Sequence, residues 1–177
     1  WQLLNKEIYK DWSFYGKGSR IASRPSTGKK KLGTYTNPEI FYNNDSLLKA
    51  CQTLLKSNSK RDSYNYDLVN LYSQWLGNYF NEVCNKFYDA YASRDLKAMQ
   101  EVKKQADQII DYADQLLATH SSFMLGKWIQ DARNMGHNND EKDYYEKNAR
   151  TILTTWGGPI LNDYANRLWS GLVKDYY

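Results

Sequence analysis

Apolar positions recur at three- and four-residue spacing along most of this chain, the period of helices that bury one face. Leu4, Ile8 and Trp12 share a face within residues 2–15, which predicts a first helix. Asn43-Asn44-Asp45-Ser46 forms a capping cluster ahead of LLKACQTLLK, where Leu47, Leu48, Cys51, Leu54 and Leu55 fall on one side. After a polar break, the longest periodic run predicts a helix over about 63–92, from Leu68 and Leu71 through Trp75, Leu76, Phe80 and Val83 to Tyr91. Its stripe is wide enough to be covered by more than one neighbour.

Ser93 reads as the cap of a helix over about 94–118, with Glu101, Lys103, Lys104, Asp107 and Asp111 on its solvated side. Ser121-Ser122 reads as the cap of a helix near 123–135 that Gly136 ends. Asp140 reads as the cap of another, reaching about Thr155. Gly157-Gly158-Pro159 stops it, and a last helix runs from about Asn162 to Tyr177. Short links between long helices imply antiparallel neighbours, so the fold class is all-α, an up-and-down helical bundle. No repeat of 30–45 residues argues for a solenoid.

Composition strengthens this picture. The three prolines, at 25, 38 and 159, leave 120 residues from Glu39 to Gly158 without one. Sandwiches and barrels need a turn every eight to twelve residues or so, which excludes an all-β architecture. Aromatic residues make up 15% of the chain, against disorder. No apolar run approaches the roughly 18 residues of a membrane span. The chain is therefore expected to be one domain, residues 1–177, with the stretch 16–43 as a long basic loop within it.

Charge narrows the class of partner. The net charge of +4 is concentrated in the segment up to Lys31, where eight Lys and Arg stand against two acids. The rest is nearly neutral, so a basic face on a folded element is lacking and nucleic acid is not an expected partner. Cys51 and Cys84 lie outside any CxxC or His-rich context, and no metal or other cofactor is expected. Two readings of the pair stand: free thiols on helices, or a single disulfide.

Candidate chemistry is sparse until residue 144. His120 and His137 sit at helix boundaries among polar residues and are expected to be exposed. No GxSxG, glycine-rich phosphate loop or HExxH is present. Glycoside hydrolysis needs two carboxyls about 5 to 9 Å apart, and no pair is singled out by an apolar setting. Taken alone the chain reads as non-catalytic. Residues 144–169, however, gather Tyr144, Tyr145, Arg150, Trp156, Tyr164, Arg167 and Trp169 around the Gly-Gly-Pro break. Aromatic faces pack on the C–H faces of sugars while Asn, Asp and Arg bond hydroxyls. Trp156 and Trp169 read equally as core anchors between the last helices.

The segments LGKWIQDAR (125–133), YYEKNARTILTTWGGP (144–159) and DYANRLWSGLVKDYY (163–177) closely resemble the C-terminal helical domain of α-N-acetylglucosaminidases, glycoside hydrolase family 89. Arg24-Pro25-Ser26 and Phe41-Tyr42-Asn43 fit the same domain's opening, while 57–120 match in helical pattern more than in residues. The resemblance implies a helical domain that packs on a catalytic barrel and helps form the pocket for a terminal α-linked N-acetylglucosamine, as on heparan sulfate. The two catalytic glutamates of these retaining enzymes lie on the barrel. It further implies a fragment of a larger enzyme, inactive alone, whose bundle is incomplete at its C-terminal end because family members continue past the DYY element.

By position, Trp156 matches the family's pocket tryptophan. Tyr164 either supports it or touches ligand, and Asp163 caps the last helix. Arg150 is the third candidate contact to substrate, with pairing to acids as its structural alternative. A lysosomal address in animals, and a secreted or periplasmic one for a bacterial homologue, go with the resemblance. The competing reading is a freestanding helical module that binds glycan or protein.

Overall fold

The computed structural model describes residues 1–9 and 40–155. Among these residues every regular element is helical: α1 (Gln2–Glu7), α2 (Asn44–Leu55), α3 (Asp62–Ala92), α4 (Leu96–Leu117), a 3-10 turn (Ser121–Phe123), α5 (Leu125–Arg133) and α6 (Asn139–Thr155). α3 packs on α4 and on α2, α2 packs on α1, and α5 packs on α6. The expected all-α helical bundle is the observed one.

The broad stripe of α3 divides its burial between two clusters. Leu76, Phe80, Val83, Cys84 and Tyr88 meet Ala106, Ile109 and Ile110 of α4. One turn earlier Leu71 joins Leu4, Leu47, Ala50 and Cys51 of the α1–α2 side. Trp75 packs against both clusters, so the two halves of the core are continuous. Cys51 and Cys84 lie one in each cluster and form no disulfide, which decides between the two readings of the pair. Burial pushes the Cys51 thiol up to about 11, so it is a packing residue and a poor nucleophile.

A polar network fastens the entry of α2 to α3. Asn43 caps α2 as expected, its side chain accepting from the Asp45 and Ser46 amides. The buried Asn44 donates to the Trp75 carbonyl at 3.3 Å. Asn78 donates to Asn44 and to the Tyr42 hydroxyl, both at 3.0 Å, and accepts from Gln74. Every one of these buried amides is partnered, the condition under which a polar group in a core specifies register without a desolvation cost.

Four local expectations are corrected. Ser93 ends α3 and does not start α4: its hydroxyl donates back to the Asp89 and Ala90 carbonyls, and Asp95 is the cap, accepting from the Ala98 amide at 3.0 Å. Ser121-Ser122 form a 3-10 turn and cap nothing, because α5 starts at Leu125 without a side-chain cap. Asn138, not Asp140, accepts from the first turn of α6 through the Glu141 amide, while the Glu141 carboxylate accepts from the His137 amide. Finally α1 stops at Glu7. Trp12, residues 16–39 of the basic loop and the expected last helix lie outside the described residues.

Candidate sugar-facing hairpin

The residues of interest fall on the α5–α6 hairpin. Gly136 makes its turn possible, since a Cβ there would stand 2.6 Å from the Lys142 nitrogen of α6. Ile129 of α5 and Ala149 of α6 are the buried contacts. Around them runs a ladder of ion pairs. Arg133 reaches across from α5 to Asp143 at 2.7 Å and Glu146 at 2.6 Å, and Glu146 also takes Arg150, one turn further along α6, at 2.7 Å. The two guanidiniums hold the Glu146 carboxyl below the usual carboxylate range, and Asp143 and Glu146 push Arg133 up.

Glu146 is therefore the ion-paired centre of the hairpin. It is absent from the sequence-based candidates, although its four-residue offset from Arg150 is the signal for such a pair on a helix. Arg150, a candidate sugar contact by sequence, has its guanidinium laid back along α6 on Glu146. That is the pairing with an acid expected of its structural role. Arg150 remains half-exposed at 53%, so one face of it still reaches solvent.

Arg150 lies within two turns of Thr155, the last residue of α6 that the structure describes. Trp156 is the next residue in sequence, and it and Tyr164 lie outside the described residues. The hairpin exposes several large apolar residues. Leu125, Trp128 and Met135 on or beside α5 and Tyr144 and Ile152 on α6 are each about half exposed or more. Such a concentration on one small hairpin marks a contact surface better than it marks a solvated one. Among the described residues no group of three His, Cys, Asp or Glu is placed to hold a metal ion.

Likeness to known proteins bears on what that surface meets. The alpha-N-acetylglucosaminidase (NAGLU) C-terminal domain family matches over residues 1–177. The chain belongs to that family. Human alpha-N-acetylglucosaminidase is 32% identical over 187 residues, covering all of this chain and 24% of the human protein. Two structures of a family 89 glycoside hydrolase from Clostridium perfringens superpose on the whole chain. The one in complex with 2-acetamido-1,2-dideoxynojirmycin has 31% identity and a TM-score of 0.80. The one in complex with PUGNAc has 30% identity and a TM-score of 0.81, and in both the chain covers 22% of the bacterial protein. The chain thus spans about a quarter of the length of the relatives it matches. No described helix is long and apolar enough to cross a membrane.

Proposed function

We propose that this chain is the non-catalytic helical domain of an exo-acting α-N-acetylglucosaminidase, residues 1–177 forming one unit that packs on the catalytic barrel of the same polypeptide. Its α5–α6 hairpin forms part of the wall of the pocket that takes a terminal α-linked N-acetylglucosamine. The carrying observation is the hairpin itself. It leads in sequence to Trp156, and its exposed apolar residues (Leu125, Trp128, Met135, Tyr144 and Ile152) suit a large rigid neighbour such as a barrel. The ion-paired acids of the hairpin support the non-catalytic part of the reading, because Glu146 is committed to two arginines.

Trp156 is the residue proposed to stack on the sugar, with Tyr164 either supporting it or touching the ligand. Arg150 contributes to substrate through its exposed edge while Glu146 fixes its course. The bacterial relative's complex with a 2-acetamido compound fits a pocket for N-acetylglucosamine. Export, to the cell exterior or periplasm, is the proposed address, since glycans bearing this sugar are met there. Replacing Trp156 by Ala in the intact enzyme tests the site. It is expected to lower kcat/KM about 10- to 100-fold, roughly 1.4–2.8 kcal/mol of transition-state binding, with little change in melting temperature. A collapse in melting temperature, with normal kinetics in the enzyme that remains folded, would show Trp156 to be a core anchor.

A further inference from the structure

His120, expected at the surface, is buried at 7% exposure and touches both halves of the molecule. Its Nδ1 accepts the Ser122 amide hydrogen at 3.2 Å, capping the 3-10 turn that leads into α5. Its Nε2 stands 3.2 Å from the Asp62 carboxylate in the first turn of α3. An amide hydrogen aimed at Nδ1 requires a lone pair there, so the ring's proton is assigned to Nε2, which donates to Asp62. Tyr66, one turn along α3 from Asp62, meets the edge of the His120 ring at 5.7 Å and stacks on Phe123 at 5.0 Å. Phe123 in turn packs edge-on against His120. One imidazole thus joins the start of α3, the end of α4 and the turn on which α5 rests.

From this geometry we infer that His120 is a positioning residue: it sets the α5–α6 hairpin on the α3–α4 stem, and through the hairpin it sets the wall of the sugar pocket. The two nitrogens divide the work. Nε2–Asp62 and the Tyr66 contact tie the ring to α3, the bond weakened by water because Asp62 is 92% exposed, and Nδ1–Ser122 ties the following turn to the ring. The Nδ1 bond fixes the 3-10 turn, the turn runs directly into α5, and α5 packs on α6. The consequence for catalysis rests on the proposed function; the joint itself does not.

The two are separated by three variants of the intact enzyme. His120→Asn keeps an acceptor oxygen in place of Nδ1, His120→Gln keeps a group in place of Nε2 alone, and His120→Phe keeps the ring contacts with neither nitrogen. Amide exchange of Ser122 is expected to quicken about tenfold in the Phe and Gln variants, the ratio for one lost hydrogen bond, and to stay near the parent rate in the Asn variant. On an aryl α-N-acetylglucosaminide, KM is expected to rise several-fold in all three variants, each of which lacks one or both of the bonds the ring makes, with kcat changed less. Unchanged exchange in the Phe variant, or an Asn variant as fast as the Phe variant, would overturn the joint. Faster exchange with parental KM would leave the hairpin clasped by His120 but overturn its reach to the sugar. A nitrogen NMR spectrum with the proton on Nδ1 would overturn the tautomer on which the whole inference stands.

Discussion

Arg94 occupies a backbone position that glycine fills more easily. Its φ is 57°, in the left-handed region, directly after the Ser93 that closes α3. The Asp95 amide bonds to the Ala90 carbonyl at 2.9 Å and the Arg94 amide to the Tyr91 carbonyl at 3.1 Å, the paired bonds of a Schellman ending. A Cβ costs roughly 1 kcal/mol in that conformation. Arg94→Gly is therefore expected to stabilise the domain by about 0.5–1 kcal/mol, less a little for the added freedom of the unfolded chain. A rise in urea midpoint at unchanged slope is the expected readout, and a lower midpoint would show the arginine side chain to matter more than its backbone. At this scale the sequence is legible where a residue acts on its immediate neighbours. Asn43 caps α2 because its oxygen needs only the amides two and three residues ahead. The burial of His120 is not legible, because the groups that enclose it, Asp62 and Tyr66, lie more than fifty residues away and leave no local mark.

Among the elements, α3 organises the rest. Its long apolar stripe already requires more than one neighbour, and the two clusters it forms with α4 and with α1–α2 meet that requirement. Phe80 is fully buried between α3 and α4. Replacing it with Ala is expected to cost about 3–5 kcal/mol, through lost burial and the cavity left behind. A thermal melt followed by circular dichroism checks this, and a loss below about 1 kcal/mol would mean that the α3–α4 contact is not the main source of stability. Helix boundaries are less legible than helices. Ser93 and Asp95 are both good caps, and only the direction of the Ser93 hydroxyl, back toward Asp89, decides which helix each serves. The same holds for Asn138 and Asp140, where the reciprocal bonding of Glu141 selects the earlier residue. The α5–α6 hairpin shows a further limit: its pattern predicts two helices, but not that Trp128 and Ile152 stay uncovered by the helices packed nearby.

As a whole molecule, the chain is a helical bundle matched along its full length by one family, whose members are about four times longer. Its packing is carried by the α3–α4 core and the amide network around Asn78. Its proposed role is shared, because a pocket wall without the catalytic carboxylates opposite it has only half of a site. Family motifs in the sequence reach this assignment through LGKWIQDAR and YYEKNARTILTTWGGP, where rings and arginines cluster, rather than through any catalytic signature. Of the three candidate contacts, Arg150 is placed and paired with Glu146, while Trp156 and Tyr164 lie outside the described residues. The most direct test of the shared-site account is a titration of the isolated 177-residue chain with N-acetylglucosamine, followed by amide NMR. The account predicts no saturable shift at millimolar sugar, since the wall alone cannot enclose a ligand. Saturable binding in the micromolar range, with shifts centred on residues 144–156, would contradict it and make the chain a binding module in its own right.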